Sequence, residues 1–334
     1  MAAKSALVTG GNGFVGCHVV RALLARGARV RALVRENGDL AALEGLRVEV
    51  ARGDIRYYDS VERAARGCEE IYHVAADYRL WLTDPAPMYA TNVEGTGHVL
   101  RAAQAVGARR IVYTSTVGTL GLPHDAPGRE DTPSSLAAMI GHYKRSKFMA
   151  EQAALEAVRR GAPVVIVNPS TPIGALDFKP TPTGRIIAGF LAGRIPAYVD
   201  TGLNLVDVED VARGHLLAAE RGRIGEKYIL GGEDLTLKEF LDRLAAISGL
   251  PAPKIRIPYA VAFGFALGAE AVARTITHRA PRASLTEVRM ARHRMFFDSS
   301  KARAELGYAP GPINAALERA IEFFRARAAN AKAA

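Results

Sequence analysis

The chain has 334 residues, 49% hydrophobic and 23% charged, which excludes a disordered chain and leaves ample length for a packed core in one large or two fused domains. With 44 Lys+Arg against 34 Asp+Glu the formal net charge is +10, a balance that suits an anionic cofactor or substrate, anionic lipid or nucleic acid. The cations are scattered and not interleaved with aromatics, so no nucleic-acid partner is expected. The densest stretch, eight Lys/Arg against four Asp/Glu over 270–305, reads as a solvated arginine-rich helix.

Two cysteines, Cys17 and Cys68, exclude a disulfide framework or a cysteine-rich zinc site and point to a reducing compartment. The histidines show no metal-ligand spacing; His18, His98, His142, His215 and His293 are expected at the surface or at caps, and no metal is expected. The opening residues carry no apolar signal region, and the apolar run 259–269 stops at Glu270, short of a bilayer span. That run is expected to be a buried helix or one lining an apolar pocket, with a membrane-surface role as the less favoured alternative. The expectation is a cytoplasmic chain with no integral membrane segment and a small-molecule substrate.

In chain order, short runs rich in Val, Ile and Leu at 6–9, 29–34, 47–51, 71–75, 110–114 and 164–167 read as strands buried on both faces. Helical patterns at 14–26, 59–66, 87–106 and 143–159 lie between them. This alternation predicts an α/β fold with a doubly wound parallel sheet of the Rossmann type, whose ligand lies beyond the carboxyl ends of the strands. After Asn168 the rhythm changes: 174–200 is rich in Pro and Gly, 208–221 and 226–230 read as a helix and strand returning to the sheet, and 236–248, 258–276 and 312–328 read as helices. The expected division is a dinucleotide-binding domain over 1–170, with returns near 203–232, and a smaller, mostly helical substrate-binding portion over 171–330 built from interleaved insertions. The long connection 121–141 is either a lid or a plain surface loop.

Directly after the first strand, Gly10-Gly11-Asn12-Gly13-Phe14-Val15-Gly16 leads into a helix. Gly10, Gly13 and Gly16 allow a tight turn and a close backbone approach, and the unpaired amides around Phe14 and Val15 at the helix start favour a pyrophosphate. An NAD-selective site places an acid about 20 residues beyond the glycines; here Val34 stands near that position and Arg35 follows. A guanidinium binds a 2′-phosphate that a carboxylate would repel, so the expected cofactor is NADP(H), with NAD as the alternative and Glu36 as the dissenting residue. Asp54, in Gly53-Asp54-Ile55, is placed to accept from the adenine amino group, and Ala75 and Ala76 to admit the cofactor where the fourth strand ends.

Tyr143 and Lys147 stand four apart at a helix start, hence on one face. A lysine beside a tyrosine stabilises phenolate and moves its pKa toward neutrality. The fifth strand ends in Tyr113-Thr114-Ser115-Thr116, which brings hydroxyls to the same sheet edge.

Thr9–Gly16, Gly53-Asp54, His73–Ala76, Thr91–Thr96, Tyr113–Gly121, Tyr143–Lys147, Asn168-Pro169, Val206–Ala212, Asp298 and Glu305–Tyr308 together resemble the extended short-chain dehydrogenase/reductase family along nearly the whole chain. Within it, Ala75–Trp81 and Asn168–Asp177 look most like hopanoid-associated sugar epimerases, a group similar to dihydroflavonol 4-reductases. The resemblance implies Tyr143 as the acid–base residue and Lys147 as binding the nicotinamide ribose. It aligns Thr116, preceded by Ser115, on the active-site serine, and adds Asn168 and Pro169 to the cofactor set. Asn92 becomes a structural or proton-relay position, and a homodimer is a family expectation.

Two chemistries share this apparatus. A reductase passes hydride from NADPH to a carbonyl, whereas a sugar 4-epimerase oxidises an alcohol and returns the hydride from the other side, keeping NAD bound. The approach Thr201–Asp207 lacks the cation that clamps a substrate diphosphate, although Arg185, Arg289 or Arg292 can substitute. With Arg35 and the apolar 259–269 run, the reading favours an NADP(H)-dependent carbonyl reductase acting on a fairly apolar substrate. The sugar epimerase is the alternative, and a non-catalytic dinucleotide-binding regulator the third.

Overall fold

The computed structural model describes residues 4–281 and 283–333. Its first half runs β1 (Ser5–Thr9), α1 (Phe14–Ala25), β2 (Arg29–Val34), β3 (Glu49–Arg52), α2 (Tyr58–Ala65), β4 (Glu70–His73), α3 (Ala86–Tyr89), a π-helical segment Ala90–Glu94, α4 (Gly95–Ala105), β5 (Arg110–Thr114), α5 (Gly141–Arg159) and β6 (Val164–Pro169). There follow β7 (Thr171–Ile173), α6 (Pro182–Leu191), β8 (Ala197–Tyr198), β9 (Gly202–Asp207), α7 (Val208–Arg221), β10 (Lys227–Leu230), β11 (Glu233–Thr236) and α8 (Leu237–Ser248). The chain ends through β12 (Ile255–Arg256), α9 (Tyr259–Val272) with a π-helical continuation Ala273–Thr277, α10 (Leu285–Met290), β13 (Arg294–Met295), α11 (Ser300–Leu306) and α12 (Ile313–Ala333).

Seven strands form one parallel sheet in the order β10-β6-β5-β4-β1-β2-β3. The chain winds outward from β1 to β3 and then crosses to the other side of β1, so the order reverses between β1 and β4. Ligands of such sheets bind in that crevice. Period-two alternation divides the strand residues between two layers. Ala6, Val8, Val30, Ala32, Val112 and Val165 pack with α1, α7 and α11, whereas Leu7, Leu33, Ile71, Ile111, Val164 and Ile166 pack with α2, α4 and α5. The doubly wound α/β sheet is thus the fold.

Beyond the sheet, β7, β9, β11 and β13 form a second, four-stranded sheet, and β8 pairs with β12. Ile173, Leu205 and Leu235 of the second sheet join Ile187, Phe240, Leu244 and Leu317 in a separate core under α6, α8 and α12. These strands are too short to show a period, which is why the sequence reads most of them as loop.

Four local expectations are corrected. The strand expected to reach residue 75 ends at His73, because the amides of Val74 and Ala75 turn to the Thr9 hydroxyl (3.2 Å each). The helix expected over 87–106 is interrupted by the π-helical segment at 90–94. His18 and His215 are buried, not superficial; each ring binds a backbone carbonyl, of Ala175 and Val211 respectively. The 259–269 run is also not a buried helix. It belongs to a helical stretch of 19 residues through Thr277, long and apolar enough by composition to cross a membrane, in which only Ala266, Glu270 and Ala273 are buried. A helix that is apolar all round has no periodicity from which its covered side can be read.

Strand β1 and helix α1 pack so closely that a Cβ on Gly16 would lie 2.1 Å from the Gly10 carbonyl oxygen. The obstacle is backbone and cannot rotate away. Gly16→Ala is expected to destabilise the fold by about 2–3 kcal/mol, read as a lower denaturant midpoint. An unchanged midpoint would show that helix and strand are not held this close.

Candidate active site

The glycine loop is shaped by contacts rather than by composition alone. Gly10 has φ +67°, in the left-handed region, and a Cβ there would sit 2.8 Å from the Ala75 Cα, so the β1 and β4 loops touch. Gly13 is the N-cap of α1 and has no side chain to occupy the helix end; its own amide binds the Gly10 carbonyl at 2.8 Å. The first-turn amides of Phe14, Val15 and Gly16 have no preceding helical carbonyl to bind. Amides facing outward beside half-buried Phe14 and Val15, with no Cβ in the way, fit a pyrophosphate.

At the end of β2, Val34 is buried while Arg35 and Glu36 are exposed. Arg52, closing β3, donates from Nη1 to the carbonyls of Arg35 (2.9 Å), Glu36 (3.0 Å) and Gly38 (3.2 Å). Asn12 ties the glycine loop to the same turn through the Asp39 carbonyl (2.8 Å). The sequence reading missed Arg52, which stands opposite Val34 only through the β2–β3 pairing. Burial works to raise the Asp54 carboxyl, but hydrogen bonds from Arg56 outweigh it and hold the group below its ordinary value. Its carboxylate is engaged by the Arg56 amide (2.9 Å) and guanidinium (2.7 Å). Ile55 is buried against Gly95, where a Cβ would meet its side chain at 2.9 Å.

A buried polar chain spans the switch point. Thr96 donates to the Asn92 carbonyl (2.6 Å), so its oxygen accepts from His73 Nε2 (2.9 Å), and Nδ1 is left to accept from the Thr9 hydroxyl (2.8 Å). The ring is therefore assigned neutral with its proton on Nε2. Burial, then the Lys147 charge, lowers its pKa to about 3. Asn92, on the π-helical segment, receives the Asp77 amide (2.7 Å) and donates to the Asp77 carbonyl (2.8 Å) and the Ser146 hydroxyl (2.9 Å). It fastens the loop after β4 to α5, just ahead of Lys147.

On α5, Lys147 is buried and its Nζ donates to the Thr114 carbonyl at 2.7 Å, 4.6 Å above the Tyr113 ring. Burial lowers its pKa to about 7, opposed by the Glu151 carboxylate one turn on. One turn earlier, burial pushes the Tyr143 phenol up to about 12, and the Thr116 hydroxyl works the other way. The lowering expected from lysine proximity is not seen: only the Thr116 hydroxyl opposes desolvation, and Tyr143 is a neutral acid at pH 7.

Ser115 and Thr116 separate cleanly. Ser115 is buried and donates to Glu151 Oε2 at 2.5 Å, which leaves it no hydrogen for a substrate. Thr116 is half-exposed; its oxygen accepts the Gly118 amide (3.1 Å), so its hydroxyl hydrogen is free to point outward. Asn168 faces inward, donating to Thr116 O (3.0 Å) and Glu151 Oε2 (2.9 Å), and its Oδ1 is left without a partner. Pro169 ends β6 in the core. Glu151, also bound by Thr119 (2.9 Å) and 2.8 Å from Lys227 Nζ, is the second residue that sequence reasoning missed.

Above α5 lies a cleft of about 470 Å³ lined by Ile140, Tyr259, Phe263, Arg289, Arg292 and His293. Ile140 is the N-cap of α5, three residues before Tyr143. Arg185, one of three candidate substitutes for a diphosphate clamp, is paired with Glu287 (3.2 Å). Asn204 on the approach strand is buried and spent on Asp234 (2.7 Å) and Gly232 (2.8 Å). Lys144 is half-buried with its stem against Gly118, and burial lowers it to about 8. The 121–141 connection is fastened at its middle: Gly128 bonds Phe296 and Asp298 (2.9 Å each), and Glu130 accepts the Ile229 amide (2.8 Å).

Comparison with known proteins agrees with this geometry. Residues 6–231 match the NAD dependent epimerase/dehydratase family. A Synechocystis sp. protein provisionally named dihydroflavonol 4-reductase is 45% identical, covering 95% of this chain and 94% of its own. Sterol demethylase protein B of Methylococcus capsulatus is 37% identical, with 96% and 98% covered. The structure of PA4631, a nucleoside-diphosphate-sugar epimerase from Pseudomonas aeruginosa, superposes with a TM-score of 0.81 at 29% identity over 98% and 99% of the two chains. The chain therefore belongs to the NAD-dependent epimerase/dehydratase family, within the extended short-chain dehydrogenases/reductases.

Proposed function

We propose that the chain is an NADP(H)-dependent oxidoreductase that reduces a carbonyl of a small, largely apolar substrate. The observation that carries this reading is the turn after β2, where an apolar buried Val34 replaces an acid and Arg35 stands exposed on backbone that Arg52 fixes. A guanidinium there supports recognition of a 2′-phosphate. Relatives named for reduction and for a sterol substrate, with Tyr259 and Phe263 in the cleft, support an apolar carbonyl compound.

When bound, the dinucleotide supplies the hydride; Gly10, Gly13, Phe14, Val15 and Gly16 would hold its phosphates. Arg35, Asp54 and Ile55 would line its adenosine end, and Ala75, Ala76, Asn168 and Pro169 the nicotinamide side. Residues 1–170 with the 203–232 return would form the cofactor half, and 171–330 the substrate half. Tyr143, neutral at working pH, donates its proton to the substrate oxygen as negative charge develops there. Thr116 donates a second hydrogen bond to that oxygen. Lys147, one helical turn from the phenol and drawn to its ammonium form when the cofactor is bound, stabilises the phenolate that remains.

A second reading is a nucleotide-sugar 4-epimerase with tightly held NAD. It is favoured by Arg289 and Arg292 in the cleft, which can neutralise a substrate diphosphate.

The decisive experiment releases and identifies any nucleotide from purified protein, then titrates stripped protein with NADPH and NADH. Exchangeable binding with NADPH preferred is expected, and Arg35→Ala is expected to weaken NADPH about tenfold while moving NADH less than about twofold. Firmly held NAD would install the epimerase reading instead. Tyr143→Phe is expected to lower kcat by about a hundred- to ten-thousandfold; unchanged turnover would remove Tyr143 from the chemistry. Because burial holds Lys147 near 7, most of it is neutral at pH 8. Acceptor oxygens placed beside it on cofactor binding favour the ammonium and raise its pKa, so protons are taken up. Calorimetric titrations at pH 8 in buffers of different ionisation enthalpy are expected to show that uptake, shrinking toward pH 6; an enthalpy independent of buffer contradicts it.

A further inference from the structure

Twelve large hydrophobic side chains are exposed among the described residues, and seven of them fall between Ile255 and Ile276. On α9 and its continuation, Val261, Phe265, Val272 and Ile276 follow one another at spacings of four, seven and four residues. At 100° per residue they form a single stripe within about 60° of arc. Their exposures are 60%, 59%, 46% and 72%. Ala266, Glu270 and Ala273, the buried residues, lie away from this stripe, as do Tyr259 and Phe263, which line the cleft that Ile140 borders. Only a narrow side of the helix is thus against the protein; Leu267, 53% exposed, widens the outward surface beyond the stripe, which stands beside a shallow groove of about 570 Å³ bounded by Phe265, Val272 and Pro281.

The unpaired charges flanking this helix among the described residues are cationic. The sole acid on the helix, Glu270, is buried and accepts from Arg274 (2.7 Å) and the Leu285 amide (3.0 Å). Exposed Lys254 precedes the helix and Arg279 follows it; Arg289 and Arg292 stand at the adjoining cleft. Among the described residues none of these four forms an ion pair with a carboxylate. A protein or second copy docking on this face would need to bring its own acids, whereas an anionic bilayer presents acyl chains to the stripe and phosphates to the flanking cations together.

We propose that α9 seats the protein on an anionic lipid surface, with Val261, Phe265, Val272 and Ile276 entering the headgroup–acyl boundary. On its other side the same helix lines the cleft with Tyr259 and Phe263. The proposal concerns a surface outside the catalytic constellation and stands whichever of the two chemistries the site performs.

The test is flotation of the full chain with phosphatidylcholine vesicles, with and without about one-third phosphatidylglycerol. Binding to the anionic vesicles is expected, with at least about a tenfold loss in the doubly substituted Phe265→Asp, Ile276→Asp protein and in high salt. Unchanged melting temperature and NADPH affinity would show that this variant remains folded; should it unfold, Lys254→Glu with Arg279→Glu tests the charge half alone and is expected to lose binding as well. Failure of the wild type to float with anionic vesicles overturns the proposal, as does flotation insensitive to the substitutions. A wild-type dimer that the variant converts to monomer would assign the face to a second copy and also overturn it.

Discussion

Much of the site depends on one hydrogen bond, from the Lys147 ammonium to the Thr114 carbonyl at 2.7 Å. It joins α5 to the carboxyl end of β5, and so fixes how far the helix stands from the edge where the sheet opens. Tyr143 is carried one turn before Lys147 and Glu151 one turn after it, on the same face. Burying an ammonium is unfavourable unless it is hydrogen-bonded and compensated. Here the compensation is a carbonyl, the Tyr113 ring face and a nearby buried carboxylate. The remaining deficit is visible in a pKa lowered to about 7, which leaves the lysine responsive to what is placed beside it.

The carboxylate beneath then sorts the hydroxyls of the β5 edge. Glu151 takes Ser115, Thr119 and Asn168 as donors on one oxygen and faces Lys227 with the other. Ser115 is thereby spent in the interior, and Thr116, one residue on and pointing the other way from the strand, keeps its hydrogen for the cleft. Two neighbouring hydroxyls with similar chemistry acquire different roles because one is held by Glu151 and the next caps the turn that follows the strand. On the cofactor side the Thr9–His73–Thr96 chain has an equivalent effect: it turns the amides of Val74 and Ala75 out of the ladder, ends β4 early, and opens the space into which Gly10 and Ala75 bring their loops.

The sheet, its winding and the Tyr143–Lys147 pair were legible in the sequence because each rests on a local signal: short β-rich runs, helical periodicity, glycines at fixed offsets, two residues one turn apart. Glu151 was not, although it stands four residues after Lys147, because its partners at 115, 119, 168 and 227 meet only when β5, β6 and β10 lie side by side. Arg52 was missed for the same reason, since its partners lie on the turn after β2 and are neighbours only through strand pairing. The second sheet left little trace, its strands being two to six residues long. The exposure of α9 corrects half of its reading: the helix lines a groove with Phe265 and Val272 and a cleft with Tyr259 and Phe263, but it is not buried. Hydrophobicity without periodicity says that a helix avoids water, and burial inside the protein is only one way of doing so.

The residues proposed as catalytic do not choose between reduction and epimerisation, because both need a hydroxyl, a phenol and a lysine at one sheet edge. The difference lies in what each chemistry asks of the two ligands. An epimerase returns its hydride within one turnover and gains from a cofactor that never leaves, whereas a reductase must release an oxidised dinucleotide and bind a reduced one. The distinguishing groups are therefore Arg35 and Arg52 at one end of the site, which bear on cofactor identity, and Arg289, Arg292, Tyr259 and Phe263 at the other. A cleft that sets two arginines beside two aromatics suits a molecule with an apolar body and an anionic or strongly polar end. Such a molecule fits the reductive reading more economically than a nucleotide sugar, whose polar rings would leave the aromatic wall of α9 unused.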